Sequence, residues 1–219
     1  MLMSPPILYS LRRCPYTMRA RLAILLSKQT VILREIVLKN IPPQMLAVSK
    51  HARVPLLVFD DGTVIEESLD IMLWALAQND PSDLLLSSQV DALPAMLALI
   101  DRNDNVFVPA LEQYKAAARY HDTAQEHYLD QCQPFISHLE QRLDEHLFLM
   151  GMTPSLVDYA LLPFVRQFSR VNHRGYLQSP HKNVRRWMNS HYEQPIFSKA
   201  MTPCPLWLDN QDIVLFGGQ

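Results

Sequence analysis

Between Ile7 and Leu76, short apolar runs alternate with segments of helical spacing, the pattern of βαβ units that feed a sheet. Ile7 to Ser10 predicts a short strand. From Pro15 to Ser27, Met18, Leu22, Leu25 and Leu26 fall on one helical face, and Pro15 stands where a first-turn proline is tolerated. Val31 to Leu38 is rich in β-branched and apolar residues and predicts a second strand, returning beside the first through a right-handed crossover. A polar segment with Pro42 and Pro43 follows. Leu56 to Phe59 then meets Asp60-Asp61-Gly62 and Thr63 to Ile65, a hairpin signal around an Asp-Gly turn. Ser68 to Ala77 carries Leu69, Met72, Leu73 and Leu76 at helical spacing, behind an acidic pair and a serine able to cap.

Asn79 to Asp83 is polar, contains Pro81 and separates two apolar patterns, which marks it as a linker. Beyond it the alternation of strands is lost. Val90 to Ile100, Ala110 to Arg119, His121 to Leu147, Ser155 to Ser169 and Asn183 to His191 all have helical spacing. The expected organisation is an α/β domain over residues 1–78, a linker over 79–87 and an all-α domain over 88–219.

Composition narrows the function classes. The chain has 219 residues, and 20 Lys plus Arg against 22 Asp plus Glu leave a net charge of −2, so no global positive field attracts nucleic acid. Every apolar run is broken too soon to span a bilayer, and neither a transmembrane nor a targeting segment is expected. Three cysteines cannot close a disulfide framework, which leads to the expectation of a reducing, cytoplasmic setting. The eight histidines show no metal-ligand spacing with Cys or acids, so no metal is expected. The basic cluster His181, Lys182, Arg185 and Arg186 reads as a solvated helix face.

The candidate chemistry lies at Cys14-Pro15-Tyr16-Thr17. A cysteine between a strand and the first turn of a helix meets unpaired backbone N–H groups and the positive end of the helix dipole, which favour a thiolate. Arg12, Arg13 and Arg19 add positive charge nearby. Cys132 and Cys204 have no such setting.

Cys14-Pro15-Tyr16 followed by Arg19 and Arg21, Val54-Pro55 before a strand, and Glu67-Ser68 opening a helix together resemble the thioredoxin-fold half of glutathione transferases. Thr153-Pro154-Ser155-Leu156-Val157-Asp158, followed by Ala160, Leu161, Pro163 and Phe164, is similar to the capped core helix of the helical half of that family. The pattern is nearest to the Cys-type omega-like transferases and the two-domain bacterial glutaredoxin. The resemblance implies a thioredoxin-like domain of order βαβ-α-ββα followed by the family's all-helical domain, and a homodimer. It also implies glutathione as co-substrate and Cys14 as the nucleophile. Tyr16, Lys39, Val54, Pro55, Glu67 and Ser68 are the expected glutathione contacts. Pro55 is expected to be cis, freeing the Val54 backbone for strand-like pairing with the cysteinyl part of glutathione. Glu67 suits the γ-glutamyl ammonium, and Ser68 with the amides of its helix suits the carboxylate of the same group. A plain acidic helix start is the alternative for these two residues.

Departures matter as well. Thr17 stands where dithiol glutaredoxins have a second cysteine, so any redox cycle runs through a mixed disulfide with glutathione. Ile41 aligns with the lysine that binds the glycyl end in omega-like transferases, and Lys39 is the available substitute. The leading expectation is a glutathione-dependent thiol transferase or reductase, acting on a small or protein thiol bound under walls supplied by the helical half. The alternatives are a non-catalytic interaction protein, as the similar stringent starvation proteins are, or a conventional conjugating transferase using a hydroxyl such as Tyr9 or Ser10.

Overall fold

The computed structural model describes residues 4–218. In chain order it contains β1 (Ile7–Ser10), α1 (Pro15–Leu26), β2 (Thr30–Glu35), α2 (Pro43–Val48), β3 (Leu56–Val58), β4 (Val64–Ile65) and α3 (Ser68–Gln78). Helices α4 (Ala92–Arg102), α5 (Val108–Tyr120), α6 (Gln125–Glu145), α7 (Leu156–Val171), α8 (His173–Gln178) and α9 (Lys182–Tyr192) follow. Then come α10 (Pro195–Ala200), α11 (Trp207–Asn210) and β5 (Val214–Gly217). The described chain forms two compact units: one holds the residues up to Ser82 together with those from Pro195 onward, the other Asp83–Gln194.

The sheet of the first unit has the order β4-β3-β1-β2-β5. β1 and β2 are parallel, as the βα crossover predicts, with Ser10 opposite Glu35. β3 runs antiparallel to β1 and to β4. The β3–β4 turn is the expected Asp-Gly turn: Gly62 has φ 87°, the Thr63 amide donates to Asp61 Oδ1 at 2.8 Å, and the Phe59 amide donates to the Thr63 carbonyl at 2.9 Å. β2 stops at Glu35 rather than Leu38, because Val37 and Asn40 pair across a tight turn. Helix α1 is buried from Thr17 to Ile24 on every side, not on the single stripe its leucines suggest. It packs on α3, α10 and β5, so its polar residues are enclosed too.

The expectation that residues 88–219 form one all-helical domain does not hold from Pro195 onward. β5 pairs antiparallel with β2, Val31 opposite Phe216 and Leu33 opposite Val214. Phe216 joins Leu8, Ile24, Val31, Leu33, Leu57 and Ile71 in one core cluster. Gly217 has φ 94°, and a Cβ on it would stand 1.9 Å from the Gln29 carbonyl oxygen, so this close approach requires glycine. Ile213 and Leu215 are exposed beside that edge.

The second unit is helical throughout. α4 and α5 form one run joined by a π-helical turn at Asn103–Phe107, just ahead of Pro109, which has no N–H to give the preceding turn. His121, with φ 55°, ends α5 in the left-handed conformation, so the helix expected to start there begins at Gln125. Ser155 and Asp158 form the predicted capping box of α7. The Asp158 carboxylate is fully buried and accepts four hydrogen bonds, from the Leu149 and Ser155 amides, Ser155 Oγ and Trp187 Nε1, at 2.7–2.9 Å. The architecture is thus a thioredoxin-like α/β unit and a helical unit, with one strand of the former supplied from the far end of the chain. Among the described residues, no helix is long and apolar enough to cross a membrane.

Candidate functional site

Cys14 is the N-cap residue of α1, with extended backbone at φ −74° and ψ 127°, and Pro15 occupies the first turn. Its thiol makes no capping bond and is partly exposed. The preceding chain is a tight turn in which the Cys14 amide donates to the Leu11 carbonyl at 2.8 Å. The Val54-Pro55 peptide is cis. Cys14 Sγ lies 3.8 Å from the Val54 carbonyl oxygen, so the candidate nucleophile and the proline loop meet although 40 residues separate them.

A second group gathers at the N-terminus of α3. Glu67 is the N-cap residue, exposed and without a side-chain capping bond, so its carboxylate is not used by its own helix. Ser68 is buried at the first helical position, and Arg19 Nη1 donates to its hydroxyl at 3.5 Å. The Arg19 guanidinium also lies 5.7 Å from the Tyr16 ring centroid. Tyr16, Arg19 and Ser68 therefore link the first turns of α1 and α3.

Lys39 is not drawn into either group. It is exposed at the tip of the Val37–Asn40 turn. Ile41 packs against Tyr9, Ile36, Met45, Ala52 and Leu56, an apolar site. The two hydroxyls weighed as thiol activators are both buried and engaged: Tyr9 Oη accepts from Arg34 Nη1 at 2.7 Å, and Ser10 Oγ donates to Glu35 Oε2 at 2.7 Å. Of the arginines expected near the sulfur, Arg12 reaches the Met201 carbonyl at 3.2 Å, Arg19 is turned to Ser68, and Arg13 is exposed.

Sequence reasoning missed Glu35. It ion-pairs with Arg21 Nη1 at 3.4 Å, both side chains being buried, and accepts the Arg12 backbone amide at 2.6 Å. Burial lowers the pKa of Arg21 from its ordinary value, opposed by the neighbouring Glu35 charge. A signal existed: Val31, Leu33 and Glu35 alternate on the core face of β2, and a carboxylate at an inward position requires a buried partner. Cys132 is fully buried, and burial pushes its thiol up to about 12. Among the described residues, no group of three or more His, Cys, Asp or Glu side chains could hold a metal.

Residues 8–83 match the family model of the glutathione S-transferase N-terminal domain, and residues 112–190 match that of the C-terminal domain. No curated protein matches the chain by sequence. Among solved structures, poplar glutathione transferase F1 is 19% identical with a TM-score of 0.76, covering 90% of this chain and 97% of that one. A family member from Pseudomonas fluorescens, solved with two glutathione bound, is 15% identical with a TM-score of 0.78, covering 90% and 92%. Ure2p in complex with glutathione is 19% identical with a TM-score of 0.75, covering 91% and 99%. Both domain models match in order over more than half of the residues, on a thioredoxin-like unit and a capped helical unit, and the chain belongs to the glutathione S-transferase superfamily.

Proposed function

We propose that the protein is a glutathione-dependent thiol transferase whose nucleophile is Cys14. The observation that carries this reading is the approach of Cys14 Sγ to the Val54 carbonyl beside the cis Val54-Pro55 peptide. If the cysteinyl part of glutathione pairs with the Val54 backbone, its sulfur arrives against Cys14 in position to react. Glu67 then offers its carboxylate, which makes no capping bond to its own helix, to the γ-glutamyl ammonium. Ser68 and the first amides of α3 receive the carboxylate of that group. Pro55 holds the loop and Tyr16 borders the site. Lys39 stands on the exposed Val37–Asn40 turn. The glutathione-bound structures of the Pseudomonas fluorescens protein and of Ure2p support glutathione as the ligand.

In the reaction, the Cys14 thiolate attacks the glutathione sulfur of a glutathionylated substrate. The substrate thiolate leaves and takes a proton, and a Cys14–glutathione disulfide remains. A second glutathione thiolate attacks the glutathione sulfur of that disulfide, releasing glutathione disulfide and restoring the Cys14 thiolate. With Thr17 in place of a second cysteine, no disulfide can form within the Cys14-Pro15-Tyr16-Thr17 motif itself.

The test is thiol transfer by Cys14→Ser with its fold checked by circular dichroism, together with mass-spectrometric mapping of adducts formed with glutathione disulfide. Loss of transfer and an adduct on Cys14, with none on buried Cys132, is the expected outcome. Undiminished transfer by Cys14→Ser rules the reading out. A conjugating enzyme activating its thiol through Tyr9 or Ser10 is disfavoured, because both hydroxyls are buried and already bonded. The non-catalytic alternative draws on the apolar packing of Ile41 where a lysine was expected. Failure of the protein to be retained on immobilised glutathione would favour it.

A further inference from the structure

We infer that Glu35 is a positioning residue for the nucleophile: it sets the turn that presents Cys14 by accepting the Arg12 backbone N–H. The inference rests on the reading of Cys14 as the reacting group. In the Leu11–Cys14 turn, the Cys14 amide is held by the Leu11 carbonyl, and the Arg12 amide is held by Glu35 Oε1 at 2.6 Å. The first bond closes the turn and the second anchors its second residue to the end of β2, and together they fix the place where α1 begins. The carboxylate is itself fixed. Glu35 ends β2 opposite Ser10 at the end of β1, Ser10 Oγ donates to its Oε2 at 2.7 Å, and Arg21 Nη1 approaches at 3.4 Å.

Arg21 extends the linkage to the far end of the chain. Its Nη2 donates to the Thr202 carbonyl at 2.9 Å, its guanidinium lies 4.9 Å from the Phe216 ring centroid, and Arg12 Nη1 donates to the Met201 carbonyl at 3.2 Å. The turn before Cys14 is thus tied to residues 201–216 as well as to β2. Stability alone does not call for such an arrangement, since an apolar pair of similar volume commonly serves as well as a buried ion pair. What an apolar pair cannot do is accept the Arg12 amide. Glu35 touches the turn and not the sulfur, so its effect reaches the chemistry through the geometry of Cys14.

The experiment compares two variants that both lack the buried charges, Arg21→Met with Glu35→Gln and Arg21→Met with Glu35→Leu. Only the first keeps an acceptor for the Arg12 amide. Iodoacetamide labelling of Cys14, read by mass spectrometry, should slow by about tenfold in the Leu variant and stay within about threefold of the unsubstituted protein in the Gln variant. In thiol transfer the Leu variant should lose kcat while KM for glutathione changes by less than about twofold, because Val54, Glu67 and Ser68 lie on other elements. Equal labelling rates in the two variants, or a loss confined to KM, overturns the inference. Hydrogen exchange of the unsubstituted protein gives a reading that needs no variant to fold: the Arg12 amide should be protected well beyond that of Arg13, and equal exchange also overturns it. If Cys14→Ser keeps full thiol transfer, the nucleophile reading itself has failed and the positioning role falls with it. That outcome is visible without either Glu35 variant.

Discussion

His191 is enclosed by the rings of Phe148, Tyr159 and Trp187, and neither of its ring nitrogens has a hydrogen-bond partner among the described residues. Burial pushes its pKa down from 6.5 to about 4. The neutral ring is therefore the folded form, and the unfolded chain binds the proton more readily. Stability from this group is complete above pH 6.5 and is lost as the pH falls through about 4, up to roughly 3 kcal/mol. Replacing His191 with Leu should flatten the acid limb of a urea-unfolding series between pH 7 and 4 and leave stability at pH 7 unchanged or higher, since two unsatisfied polar atoms are removed. An acid limb as steep as before would show that another group sets it. The sequence alone places this histidine on a helix. Its dryness comes from Phe148 and Tyr159 on distant segments, together with Trp187 one turn back on its own helix.

At the scale of elements, α7 was the most legible helix, because its capping box is a matter of residues three apart. The same carboxylate does more than cap. Asp158 Oδ1 also accepts the Leu149 amide and the Trp187 indole N–H, tying the loop before α7 and helix α9 to the start of α7. An ionised carboxylate has only acceptors to offer, and all four of its partners are donors. Asp158→Asn turns an amide NH2 toward buried donors, and the expected cost is about 3 kcal/mol or more, read from urea midpoints at pH 7. A loss below about 1 kcal/mol would mean that only the local cap matters. α1 shows the opposite limit: its leucine stripe indicates one packed face, whereas α3, α10 and β5 enclose it on all sides. β2 contains the clearest unread signal, the inward-facing Glu35 in a period-2 strand.

For the whole molecule, the consequential difference from expectation is the return of the chain from Pro195 onward to the first unit. Phe216 is nearly buried in that unit's core and lies against the Arg21 guanidinium. Phe216→Ala should cost about 3 kcal/mol through lost burial and the cavity left behind. In hydrogen exchange the loss should appear first at Val31 and Leu33. Ile32 and Ile36 point their amides toward β1, so the alternate amides of β2 face β5. Protection at those two amides unchanged from the parent protein would mean that β5 is an ornament on a sheet already complete.

The sequence by itself determined the βαβ start, the Asp-Gly hairpin, the succession of helices between Ala92 and Tyr192 and the placement of Cys14 at a helix N-cap. Each is written in residues a few positions apart, where periodicity, turn chemistry and capping act. Only the tertiary structure decided that Cys14 meets Val54, that Arg19 joins Ser68, that Lys39 stays apart, and that β5 completes the sheet. Those outcomes depend on which distant segments can satisfy one another's buried polar groups and apolar surface. Four residues such as Val214–Gly217 are too short for any period to declare them a strand until β2 offers an open edge.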